Sequence, residues 1–150
     1  ISEGITKIEK EAFYTCYYLK SVKLPSTLEE VGEYAFTDCH FSEIELPEGL
    51  KKIGKKGFGE CTSLRAVELP SSLELFEDAF ANCWSLETVI MPNEFEEIPS
   101  GAFFDTGLKE LILNSSITSI GDSAFSYSRL RKITVQSLFL CDEMKDCLAS

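Results

Sequence analysis

The sequence predicts a repeat solenoid built from short parallel strands, turns and short helical or 3₁₀ segments, with a period of 22–23 residues. The stretch 57–70 reads GFGECTSLRAVELP and the stretch 79–92 reads AFANCWSLETVIMP, so the same frame occurs twice in succession. A looser version of this frame extends over nearly the whole chain. A fixed period in the low twenties is typical of stacked repeats, whose units bury their apolar faces only against one another.

Apolar residues fall into six columns at this interval. The phenylalanine column contains Phe13, Phe36, Phe58, Phe80, Phe103 and Phe125. The column that opens each strand contains Leu19, Phe41, Leu64, Leu86, Leu108 and Leu130. A column beyond the following turn contains Val31, Ile53, Phe76, Ile98 and Ile120. The period predicts a leucine-rich solenoid in which these columns form one continuous core.

Each repeat is predicted to contain a strand, a turn, an extended piece and a helical turn. The first complete strand covers 19–25, where apolar and polar residues alternate as in a half-buried strand. Pro25 ends this strand because proline has no N–H to donate to a ladder. Gly32 is expected to supply a backbone bend. The stretch 33–36 is too short for an independent helix and is expected to form a helical or 3₁₀ turn.

The chain is predicted to be a single domain over 1–150, with about six repeats in 1–136. It begins inside a repeat, because 1–5 parallels 46–50, and this indicates a fragment of a longer array.

The segment 137–150 leaves the repeat frame. We expect it to cover the open end of the stack as a C-terminal cap. A short helix and a degenerate further repeat are the two alternatives. Cys141 and Cys147 lie in this segment and are either disulfide-bonded or free.

The charge and composition exclude several functions. The formal net charge is −11, which argues against nucleic-acid partners and anionic membrane surfaces, because both attract Lys and Arg. No run of about 18 apolar residues is present, so no membrane insertion is expected. The chain also contains no signal segment.

Four cysteines share one repeat column: Cys16, Cys39, Cys61 and Cys83. Zinc sites need closely paired ligands with histidine partners, whereas this chain has one histidine, His40, and no Cys-x-x-Cys pair. Thr106 and Ser128 occupy the same column, which favours small buried side chains over metal or disulfide chemistry. The chain also lacks a phosphate loop and a nucleophile elbow, so we predict no cofactor, no metal and no catalysis.

The outward positions of the predicted strands supply the candidate binding residues. Ile90 and Ile112 are equivalent residues on neighbouring strands and would form an exposed apolar pair. Thr88 and Glu110 occupy the other outward column, and Glu68 precedes Ile90 by one repeat. Isolated exposed apolar residues are also ordinary on protein surfaces, and acidic side chains often form only a solvated face.

Trp84, the only tryptophan, is a second candidate contact. It follows the cysteine column, where an aromatic side chain either anchors a partner or covers the flank of the solenoid. Asn114-Ser115-Ser116 is a glycosylation sequon, which matters only in a eukaryotic secretory route.

The frame over 53–70 resembles the BspA-like leucine-rich repeat family, and the resemblance covers 1–135. The departures are Thr106 and Ser128 in the cysteine column and Asn114 and Gln136 in the proline column. The resemblance implies a protein of the cell surface or a secreted one, with a role in adhesion to host proteins or other cells. It brings no shared catalytic residues.

Three classes of function remain open. The first is an adhesion or protein-recognition module whose partner is a host or cell-surface macromolecule. The second is a structural spacer in a larger protein, and the third is a recognition domain attached to an enzyme. The resemblance and the exposed isoleucine pair favour the first, and the sequence assigns no oligomeric state.

Overall fold

The computed structural model describes residues 1–136, which wind into a solenoid of six coils, numbered 1 to 6 after the phenylalanine column. The described strands are β1 (Lys7–Ile8), β2 (Glu30–Val31), β3 (Lys52–Ile53), β4 (Ala66–Glu68), β5 (Glu74–Leu75), β6 (Thr88–Ile90), β7 (Glu97–Ile98), β8 (Glu110–Leu113), β9 (Ser119–Ile120) and β10 (Lys132–Val135). The predicted solenoid of short parallel strands is therefore confirmed. The predicted cap at 137–150, with its two cysteines, lies outside the described residues.

The strands form two faces. The short-strand face carries the two-residue strands, with β1, β2, β3 and β5 in one sheet and β7 and β9 in another. The long-strand face carries β4 paired with β6, and β8 paired with β10. Every pair is parallel and joins one coil to the next.

The phenylalanine column forms the centre of the core. Successive rings lie 5.0 to 5.7 Å apart between centroids, and their planes are within 8° of parallel. Phe36, Phe58, Phe80 and Phe103 are fully buried. Rings of this size supply much of the apolar area that stabilises the stack.

The predicted helical turns are wrong, because the described residues contain no helix. Each coil instead has a run of hydrogen-bonded turns with two positive-φ residues four apart, such as Tyr34 (56°) and Asp38 (61°). Within this run Ala35 N–H donates to Gly32 of its own coil, whereas Phe36 N–H donates to Gly57 of the next coil. A helix would direct its amides along its own axis, so it would lose these bonds between coils.

The predicted position of Phe76 in the core column is also wrong. Leu75 pairs with Ile53 in the β3–β5 register and is buried. Phe76 is half-buried, and the ammonium of Lys52 lies 4.7 Å from its ring centroid. The step from Ile53 to Leu75 is 22 residues, and the additional residue of this repeat lies between Leu75 and Ile98.

The predicted bend at Gly32 and its equivalents has a different cause in the structure. A Cβ atom on Gly54 would come within 2.9 Å of the Glu33 backbone nitrogen of the preceding coil. Gly54 does not have a positive φ, so close backbone approach is what favours glycine here.

The predicted strand over 19–25 does not form, and the long-strand face begins at coil 3 apart from one bridge between Glu43 and Ala66. The cause lies in the corner loop, which joins the cysteine column to the next leucine column. This loop has two residues in coils 1, 3 and 4 but one residue in coils 2, 5 and 6. Ladders form only between coils with equal loops, β4 with β6 and β8 with β10. One extra residue shifts the start of the next strand, so its backbone groups no longer face those of the neighbour.

Candidate functional site

The long-strand face carries two outward apolar side chains. In β8, Leu111 and Leu113 point into the core and Ile112 points outward, because side chains alternate along a strand. Ile112 is 55% exposed and Ile90, on β6, is 52% exposed. The predicted exposure of this pair is confirmed.

A groove of about 520 Å³ lies between β6 and β8 and is lined by Thr88, Ile90, Glu110 and Ile112. No backbone hydrogen bond joins these two strands within the described part of the chain. The groove therefore lies where the corner loop changes length, from two residues in coil 4 to one in coil 5.

Sequence reasoning missed other groove residues, which are Glu87, Asn93, Lys109, Asn114 and Gln136. The signal was the corner-loop length. Leu86 and Leu108 are 22 residues apart, whereas the phenylalanines of the same two coils are 23 apart.

Asn114 closes one end of the groove. Its side-chain nitrogen donates a hydrogen bond to the carbonyl oxygen of Pro92 at 2.6 Å, and its side-chain oxygen accepts one from Ser116 N–H at 2.8 Å. The residue is only 8% exposed. The nitrogen that would carry a glycan is thus occupied in the folded protein.

The charges around the groove are unevenly compensated. The Lys109 ammonium contacts Glu87 at 2.7 Å, and its hydrogen bond lowers the pKa of that carboxyl. Glu110 is 3.7 Å from Lys132. By contrast, three exposed carboxylates of coils 2 and 3 have no ion-pair partner within residues 1–136: Glu43, Glu45 and Glu68.

Two of the candidate residues lie apart from the groove lining. Glu68 is the direct neighbour of Ile90 in the β4–β6 register, so it borders the apolar pair. Trp84 lies on the corner loop of coil 4 and is 57% exposed. Its indole nitrogen donates a hydrogen bond to Asp105 of the next coil at 3.0 Å, so at least part of its role is to join two coils.

The cysteine column consists of small buried side chains, as predicted for Cys39, Cys61 and Cys83, while Cys16 is half-buried. The Cys39 and Cys61 thiols each donate to a phenylalanine carbonyl of the preceding coil at 3.2 Å. Burial raises the pKa of Cys39 to about 12, and contact with the Cys83 thiol raises that of Cys61. Such thiols are poor nucleophiles.

Comparison with known families places the chain. The family model described as BspA type Leucine rich repeat region (6 copies) matches residues 1–99 and 32–143. The chain belongs to this leucine-rich repeat family. A comparison with curated protein sequences gives no match.

Solved structures of bacterial leucine-rich repeat proteins resemble this chain. One from Bacteroides ovatus ATCC 8483 has 29% identity and a TM-score of 0.68 over 91% of this chain. A leucine rich cell surface protein from Faecalibacterium prausnitzii A2-165 has 25% identity and a TM-score of 0.65 over 92%. The pneumococcal vaccine antigen PcpA, at 24% identity and a TM-score of 0.74 over 89% of this chain, shares the fold. The chain spans 42%, 46% and 36% of these three proteins, respectively.

Proposed function

We propose that this chain is a protein-binding module that holds a host or cell-surface protein on its long-strand face. The observation that carries the proposal is the exposed pair Ile90 and Ile112, which border a groove where the strand ladder is interrupted. Apolar side chains beside a groove give a partner a desolvated anchor point. Thr88 and Glu110 would form the polar rim, with Glu68 beside them.

The proposed location is the cell surface or the secreted fraction. Similarity to the Faecalibacterium cell surface protein supports it. The described part of the chain has no helix that is both long and apolar enough to cross a membrane. The shares of the matched proteins that this chain spans support its being one part of a longer repeat array, which would present the face at a distance from the cell.

The test is binding of the folded chain to a panel of extracellular-matrix and cell-surface proteins. The wild-type chain is compared with the double variant Ile90→Arg, Ile112→Arg. The control variant is Ser71→Arg, Ser72→Arg, which adds the same charge at exposed turn positions away from the groove. Circular dichroism verifies that all three chains are folded.

We expect at least one protein to bind the wild type and the control, and to lose about tenfold or more of its affinity for the isoleucine variant. Equal binding by the isoleucine variant would move the site elsewhere, with the Trp84 corner as the next surface to test. No binding by the wild type would contradict the proposal and favour a structural spacer.

A further inference from the structure

We infer, on the basis of the proposed function, that the segment bound by this face is an amphipathic helix with two apolar side chains followed by two basic ones. The complementary surface is a single outward column that runs along the solenoid axis, Glu45, Glu68, Ile90 and Ile112, here called the binding stripe. Its members are all exposed and occupy equivalent positions in coils 2 to 5.

The order of chemistry along the binding stripe is what selects the partner. Two carboxylates are followed by two isoleucines, and the register places Glu68 directly beside Ile90. Neither Glu45 nor Glu68 has an ion-pair partner within residues 1–136. A partner with Lys or Arg at these two positions would compensate both charges, and its apolar pair would cover the isoleucines.

The ends of the binding stripe limit the length of the partner's motif. Lys23 occupies the same column in coil 1 and would repel a third basic residue. Thr134 occupies it in coil 6 and pairs with Ile112 in the β8–β10 register, so the apolar part also ends after two residues.

The spacing of the coils favours a helix over an extended peptide. Neighbouring coils are 5.0 to 5.7 Å apart, measured between the phenylalanine rings. One turn of an α-helix rises about 5.4 Å, so one side chain per turn would meet one coil. Same-face residues of a strand are about 6.7 Å apart. Over the three steps from Glu45 to Ile112 an extended peptide would be displaced by about 4 Å.

The test uses two helical peptides of about 18 residues. The first carries leucines four residues apart on one face, continued on that face by two lysines at one-turn spacing. The second has glutamates in place of the lysines. Both are titrated against the wild-type chain and against a charge-reversed variant, Glu45→Lys, Glu68→Lys. The control variant is Glu74→Lys, Glu97→Lys, which makes the same change at exposed carboxylates of the short-strand face.

We expect the wild type and the control to bind the lysine peptide about tenfold more tightly than the glutamate peptide, and the charge-reversed variant to show the opposite preference. The difference should decrease with added salt. Equal affinity of the wild type for both peptides, no saturable binding, or loss of the preference in the control would overturn the inference. If the isoleucine variant loses its panel protein while both peptides bind alike, the surface stands and only the partner's chemistry is wrong.

Discussion

The side-chain amide of Asn114 donates a 2.6 Å hydrogen bond to the carbonyl oxygen of Pro92 and so joins coil 5 to coil 4. It does so beside β6 and β8, where the described structure has no strand ladder. Coils 1 to 4 have proline at this position, and a proline side chain cannot donate a hydrogen bond. Asn114 therefore replaces part of the missing contact between the two coils.

Replacing Asn114 by alanine should lower the free energy of unfolding by about 1–3 kcal/mol, because the Pro92 carbonyl would lose its partner in a largely buried place. Urea unfolding measures the loss. Asn93→Ala is the matched control, since Asn93 lines the same groove but is exposed, and it should change stability by less than about 0.5 kcal/mol. Equal losses in the two variants would contradict the role given to Asn114.

Deleting Ser85 should create a ladder between β6 and β8. The deletion gives coil 4 the one-residue corner loop of coil 5, and coils with equal loops are the ones that pair. The Lys109 amide should then bond to the Glu87 carbonyl, as the Arg131 amide now bonds to Lys109. Hydrogen exchange followed by NMR should show new protection at Lys109.

The control for this prediction is deletion of Ser63, which shortens the corner loop of coil 3 and leaves coils 4 and 5 unequal. The Lys109 amide should stay unprotected in that variant. Protection in both deletions, or in neither, would show that loop length does not decide where ladders form.

Leu75→Ala should destabilise the chain by about 2–5 kcal/mol, because it removes a buried side chain from the core column. Phe76→Ala should cost less, no more than about 2 kcal/mol, since it loses a half-buried ring and the contact with the Lys52 ammonium. Thermal or urea unfolding of the two variants distinguishes the registers. A larger loss for Phe76→Ala would restore Phe76 to the core.

Alkaline pH should weaken the fold through Cys39. Burial raises the pKa of this thiol from 9.0 to about 12, so the folded state keeps a proton that the unfolded state releases. The stabilisation is complete below about pH 9 and is lost progressively as the pH rises toward 12. Relative to Cys39→Ser, whose hydroxyl does not titrate in this range, the wild type should lose unfolding free energy between pH 7.5 and 10.5. A constant difference between the two proteins would contradict this.

The sequence was sufficient to predict the solenoid, its parallel strands and the outward pair Ile90 and Ile112. Period and alternation act within one repeat and recur in the next, so they could be read without knowing how the coils pack. The same holds for the small buried column of Cys39, Cys61 and Cys83, because Thr106 and Ser128 show what the position tolerates.

The features that were wrong or missed depend on contacts between coils. A short stretch such as 33–36 has similar local propensity for a helical turn and for the observed turns, and the bonds to the next coil decide between them. The groove depends on a one-residue difference between the corner loops at Trp84-Ser85 and at Gly107. That difference is visible in the sequence, but its effect on the ladder appears only when neighbouring coils are compared.

The most direct measurement of the binding proposal is methyl NMR of the isoleucine-labelled chain during titration with a protein that binds it. If the long-strand face is the site, the δ1-methyl signals of Ile90 and Ile112 should shift or broaden first, while those of Ile8 and Ile53 on the short-strand face stay in place. Shifts confined to the short-strand face, with Ile90 and Ile112 unchanged, would contradict the proposal.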